Sequence, residues 1–215
     1  MPPYFSVSFV CDKNCITQNT VQNFYQNLIE CGCTFKSGYW GFENNTLPQI
    51  IEWNQKKLEQ NFQLGYTEDH TYDYKQVQFD FHDFSEVRVF IFNMEEKNTF
   101  SFELIIPEDD FIRYEYQEEK GKHKIIYLEE KLLLIKDLME KMWKKSENPF
   151  WSVQTGWECS DTATSVEDMQ KGIEPLIQPY AIIPSELFHN EWHFPFYKIS
   201  NNGIMFTDDV TKWKY

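Results

Sequence analysis

In the segment YKQVQFDFHDFSEVRVFIFNMEEKNTFSFELIIPEDDFIRYEY, residues 74 to 116, apolar residues stop recurring every three or four positions and begin recurring every second one. It resolves into four extended runs, residues 74–82, 86–93, 99–106 and 111–117, separated by the polar connections DFS, MEEKN and PEDD. Connections this short join antiparallel neighbours, because a parallel pair needs a crossover of about a dozen residues or more. A four-strand meander is therefore expected. In its first run Val77, Phe79 and Phe81 alternate with Gln78, Asp80 and His82, which gives one dry and one wet face. The second run is apolar on both faces and is expected to be central.

Helical and extended patterns flank this segment. YFSVSFV at residues 4–10 alternates like a strand. In ITQNTVQNFYQNLIECG, Val21, Phe24, Tyr25, Leu28 and Ile29 recur at helical spacing, with Asn19 or Thr20 as cap and Gly32 as stop. TFKSGYWGF then suggests a short strand, and TLPQIIEWNQKKLEQNF a second helix capped by Thr46 with Pro48 in its first turn. After the meander, residues 124–145 predict the longest helix, with Ile125, Leu128, Leu132, Ile135, Leu138, Met139, Met142 and Trp143 on one stripe. A strand at FWSVQTGW follows, then a helix around SVEDMQKGIEPLIQ that Pro175 ends or kinks, and an apolar run YAIIP. Asn202-Gly203 between two apolar runs signals a hairpin.

The expected fold class is α+β: an antiparallel sheet with a central four-strand meander covered by helices, a βαβα-type N-terminal unit and a C-terminal hairpin. Residues 1–215 read as a single domain, for no linker rich in Pro, Gly or Ser interrupts them. A Gly-Trp echo between GYWGFENNTLPQII and GWECSDTATSVEDM allows a pseudo-repeat of 1–65 and 120–215 around the meander at 74–116.

Charge narrows the partners. Twenty Lys and Arg against 34 Asp and Glu leave a net charge of −14, and only Arg88 and Arg113 could grip a phosphate bidentately. A nucleic-acid backbone would be repelled, so no nucleic-acid partner is expected. No long uncharged apolar run argues for a membrane span, and MPPYFSVSFVCDKN lacks the pattern of a secretory signal; the expected compartment is the cytoplasm.

Motifs for catalysis are sparse. HNEWH at 189–193 sets two histidines four apart, as zinc hydrolases do, but those need the glutamate directly after the first histidine. On a helix Glu191 would lie about 200° around from His189 and face away from a metal. Pro184 and Pro195 also bound the segment, and a third ligand would have to come from His70, His82, His123 or a carboxylate. The expectation is an aromatic-rich turn in which Trp192 and Phe194 pack inward. CDKNC and CGC place Cys11, Cys15, Cys31 and Cys33 within 23 residues, yet the helix between the pairs would hold them at opposite poles, so free thiols are expected. No G-x-S-x-G elbow and no glycine-rich phosphate loop occurs. No metal, no cofactor and no catalytic residue is expected; the alternative is a hydrolase, metal-dependent or not, built from scattered residues such as Asp80, His82, His189 and Glu191.

The collective signal is stronger. Asp80, Asp83, Glu86, Glu95, Glu96, Glu108, Asp109 and Asp110 fall in or beside the meander's loops, followed by Glu115, Glu118 and Glu119, with Phe84, Phe111, Tyr114 and Tyr116 interleaved. Charge speeds encounter with a basic partner, and buried aromatic anchors hold the complex. The same residues would also serve as a solubilising surface on an aromatic-rich core. In this general character, acidic, α+β and without catalytic motifs, the chain resembles the immunity proteins of bacterial polymorphic toxin systems. That resemblance implies a tight stoichiometric complex with a co-encoded toxin, such as a cationic nuclease, whose active site is occluded.

Overall fold

Alternation puts Phe5, Val7 and Phe9 of the first strand on one side and Ser6 and Ser8 on the other, and this two-sidedness runs through the molecule. A computed structural model describes residues 4–63, 73–93, 98–117, 121–146, 150–157 and 163–212. The elements in chain order are β1 Tyr4–Asp12, α1 Thr20–Glu30, β2 Thr34–Gly38, α2 Leu47–Glu59, β3 Val77–Asp80, β4 Val87–Asn93, β5 Thr99–Pro107 and β6 Ile112–Gln117. They continue with β7 Lys122–Tyr127, α3 Glu129–Lys145, β8 Ser152–Trp157, α4 Val166–Gln170, β9 Tyr180–Pro184, β10 Phe196–Ile199 and β11 Gly203–Thr207. The fold is α+β. Nine strands form one antiparallel sheet in the order β10-β11-β9-β8-β1-β5-β4-β3-β2, while β6 and β7 pair separately.

The helices cover one face because their apolar stripes match it. Val21, Phe24, Tyr25 and Leu28 of α1, Ile50 and Leu58 of α2, and Leu132 to Trp143 of α3 pack with Phe9, Phe79, Val89, Ile91, Phe102 and Leu104 of the strands. The opposite face is dry only at one wing. There Ala181 and Ile183 of β9 and Ile204 and Phe206 of β11 pack against Val166 and Met169 of α4, with Leu187 and Trp192. Mid-sheet the same face is buried but polar. Ser8 and Ser101 hydroxyls donate to Glu103, and Gln154 accepts from the backbone N–H groups of Thr164 and Leu176, which ties the 164–176 segment over β8.

Several boundaries differ from expectation. β3, β4 and β5 are successive antiparallel neighbours, but the fourth run does not join them. The free edge of β5 is taken by β1 over nine residue pairs, from Tyr4↔Pro107 to Asp12↔Thr99. After a 3-10 turn at Glu108–Asp110 the fourth run leaves the sheet and pairs with Lys122–Tyr127. That second strand was expected to be the start of the long helix. Gly121 turns the chain at φ +58, β-branched Ile125-Ile126 favour an extended strand, and the helix starts only where Glu129-Glu130 complement its N-terminal dipole. α4 is also shorter than expected, because Gly172, at φ +92, closes it before Pro175 is reached. β1, α1, β2 and α2 follow in the expected order, yet β1 is central and β2 is an edge.

The C-terminal hairpin forms, with its turn one residue earlier than the Asn-Gly pair suggested. Asn201 and Asn202 both have φ +55, the sign a type I′ turn demands, and Gly203 begins β11. Gly203 is required for space instead. A Cβ there would lie 2.5 Å from Trp143 Nε1 and 2.7 Å from Ile199 Cγ1. Gly203→Ala is expected to cost about 1–3 kcal/mol through overpacking, measured by denaturant melts. A neutral change would show that Trp143 moves aside freely.

Candidate functional site

Antiparallel pairing brings the β3–β4 and β5–β6 connections to the same end of the sheet, since Arg88 at the start of β4 faces Ile105 near the end of β5. Two contacts lock them together. Asp110 accepts hydrogen bonds from Ser85 N at 2.9 Å and Ser85 Oγ at 2.7 Å, and the Phe84 and Phe111 rings lie 5.4 Å apart. Asp80, Asp83, Glu86, Glu108, Asp109 and Asp110 therefore share one end of the molecule. Glu95 and Glu96 lie outside the described residues, as do Glu118 and Glu119.

The cluster is less negative than its sequence. Asp80 pairs with Lys36 at 3.1 Å, Asp83 with Lys131, and Glu86 with Arg88 at 2.7 Å. Lys131 holds the Asp83 carboxyl below its ordinary range. Arg88 is buried, stacked between the Tyr4 and Tyr39 rings at 4.7 and 4.4 Å. Lys36 and Lys131 belong to segments distant from their partners, and nothing in the local pattern around Asp80 and Asp83 announced them, whereas Arg88 stands two residues from Glu86. Among the described residues, Asp109 and Asp110 have no cation of the chain beside them, and Asp109 is exposed.

Two expected aromatic anchors are withdrawn from the surface. Phe111 is fully buried between Phe5 and Trp157, with ring centroids at 4.5 and 6.1 Å, and cannot reach a partner. Phe84 is buried as well, stacked on Phe81. Both sit where a connection re-enters the core, so an aromatic in a polar loop was closing the end of the sheet. Tyr114 and Tyr116 behave differently. They lie on one face of the β6–β7 hairpin opposite Ile125 and His123, and are 59% and 56% exposed. Tyr116 packs on His123 at 5.2 Å, which limits its freedom. The signal for this hairpin was Gly121 followed by the β-branched pair Ile125-Ile126.

HNEWH is not helical. A 3-10 turn at Ser185–Leu187 precedes it, and the segment runs on as a turn. Trp192 is buried with its Nε1 donating to Gly172 O at 2.8 Å, and Phe194 packs against the same cluster. His189 lies 5.1 Å from the Trp192 ring, whereas His193 is almost fully exposed beside Glu174. The scattered set is not assembled. Asp80 ends β3 and His82 follows it, whereas His189 and Glu191 follow β9, five strands away, or roughly 24 Å at the usual strand spacing. Burial raises the thiols of Cys11 and Cys33, the latter to about 12, which suits small apolar residues rather than thiolate ligands. Among the described residues no group of three or more His, Cys, Asp or Glu is placed to hold a metal ion.

Two clefts open at the end opposite the acidic turns, on either side of Phe150. One, of about 350 Å³, runs along the polar face of α1 and contains the Glu30–Lys145 ion pair at 2.7 Å. The other, of about 480 Å³, is bounded by Trp143, Trp151, Leu187 and Glu186. Among the described residues no helix is long and apolar enough to cross a membrane. No family model matches the chain, and neither does any curated protein or solved structure.

Proposed function

We propose that the chain is an acidic binding protein of the immunity type, which acts in the cytoplasm and neutralises a co-encoded basic toxin, such as a cationic nuclease, by covering its active site. The contact surface would comprise the β3–β4 and β5–β6 connections and the β6–β7 hairpin: Asp80, Asp83, Glu86, Glu108, Asp109 and Asp110 as the charged rim, Tyr114 and Tyr116 as anchors. One observation carries this reading. The end of the sheet that gathers the acidic turns also projects a two-stranded hairpin with two tyrosines more than half exposed. Tyrosine on a rigid support is a favoured interface anchor, and a net charge of −14 steers a basic partner toward it.

The test begins with the product of the neighbouring gene, which should copurify with the chain at 1:1. Asp110 is unsuitable for charge reversal because its carboxylate fastens Ser85, so the variant is Glu108→Lys with Asp109→Lys. Association should slow by about tenfold at low salt, with the difference shrinking as salt rises and dissociation hardly changed. An unaltered association rate would remove these turns from the interface. Stoichiometric zinc or manganese in the purified protein would overturn the reading in favour of a metal-dependent hydrolase.

A further inference from the structure

We propose that the larger cleft is a binding site for an organic cation, specifically an alkyl chain ending in a guanidinium or ammonium group. This goes beyond the proposed partner surface, since the cleft lies at the opposite end of the sheet. It forms where the two cores meet. Trp143 and Phe150 belong to the helix-side core and Leu187 to the other, while half-buried Trp151 packs against the second core and is fixed by its backbone N–H to Val10 O at 2.8 Å. Trp143 and Phe150 are buried and form the floor, so the ring that is open to a ligand is that of Trp151, and an aromatic face attracts a cation more strongly than a neutral group of the same shape.

The polar features of the rim carry the matching sign. Asn202 donates from Nδ2 to Glu186 Oε2 at 2.8 Å, and its own carbonyl oxygen is held by the Ser185 hydroxyl, so the carboxylate is positioned by the hairpin turn. Glu186 is exposed at the mouth of the cleft, and its Oε1 carries no hydrogen bond among the described residues. On the other side of the cleft Asn201 Nδ2 caps the C-terminus of the 17-residue α3 by donating to Lys144 O at 2.8 Å. Of the two lysines at this helix end, Lys145 is turned away into its pair with Glu30, and the exposed Lys144 does not line the cleft. The carboxylate and the Trp151 ring together favour positive charge, and a volume of about 480 Å³ falls within the range of small-molecule sites. The smaller cleft has no such preference, because its carboxylate is already matched by a lysine.

Calorimetric titration of the whole chain with butylguanidinium and with its uncharged near-isostere butylurea tests this. Butylguanidinium should bind at least about tenfold more tightly. Glu186→Gln should weaken it about fivefold, and Trp151→Leu, which keeps apolar bulk but removes the π face, should weaken it further; far-UV circular dichroism checks that both variants fold. A tripeptide Gly-Arg-Gly capped at both ends identifies the source. Tighter binding than butylguanidinium points to a basic side chain of a polypeptide, and weaker binding to a free cation. Equal binding of butylurea, no binding of any probe, or folded variants that match the parent chain would overturn the proposal.

Discussion

Phe102→Ala is expected to remove about 3–5 kcal/mol of stability, a large share of the roughly 5–15 kcal/mol that holds a domain folded. Phe102 is 1% exposed at the centre of β5 and stacks on Phe24 of α1 with ring centroids 3.8 Å apart and planes within 6°. Tyr25 and Phe100 contact it edge-on at 6.3 and 5.6 Å. Truncation therefore loses the transfer energy of a buried ring and the aromatic contacts that fix α1 on the sheet. Its neighbours are rings and backbone of regular elements, which cannot close inward without moving a strand or a helix. Phe90, half-buried on the opposite face of β4, is the control, and its alanine variant should cost only about 1–2 kcal/mol. Urea melts followed by tryptophan fluorescence measure both. A Phe102→Ala loss below about 1 kcal/mol would mean that α1 is held by something other than this stack.

The stack also shows what the sequence could and could not reveal. The periodicity of two in FSF and of 3.6 in VQNFYQNLI assigned Phe102 and Phe24 to a strand face and a helix stripe, because periodicity reports which side chains share a face. It does not report which strand adjoins which. The edge of β5 is filled by β1, almost a hundred residues earlier in the chain, and the displaced run 112–117 had to find another partner. Local pattern predicts both runs as strands equally well. Only competition for one edge decides between them, and that is a long-range matter.

The same distinction governs the candidate surface. The acids were visible as residue types, and their gathering at one end follows from hairpin connectivity once β3, β4 and β5 are consecutive neighbours. The cations that match Asp80, Asp83 and Glu86 come from Lys36, Lys131 and Arg88 on three different elements, so the residual charge could not be counted beforehand. The exposed Lys36–Asp80 pair contributes little to stability, while Arg88 and Lys131 are largely withdrawn from solvent, and the three pairs together move the uncompensated negative charge toward Asp109 and Asp110. Phe111 and Phe84 illustrate the converse. An aromatic within an acidic loop satisfies the pattern for an interface anchor and the pattern for a core plug equally, and burial distinguishes them only in three dimensions.

Replacing Tyr114 and Tyr116 together by alanine is expected to leave stability within about 0.5 kcal/mol of the parent, since both rings stand more than half in solvent on a hairpin outside the main sheet. Binding should respond very differently. A single anchor worth about 2 kcal/mol changes affinity about 30-fold, and two on one hairpin face should raise the dissociation rate by at least that factor, though not by the product of two separate effects. Charge reversal at Glu108 and Asp109 should act instead on the association rate, because a rim charge steers approach without being desolvated. The two variants thus separate encounter from retention on one surface. Loss of retention without loss of steering would fix the hairpin as the part that enters the partner's cleft. An unchanged dissociation rate in the tyrosine variant, with the fold intact, would leave the acidic turns as a solubilising surface and remove the hairpin from the interface.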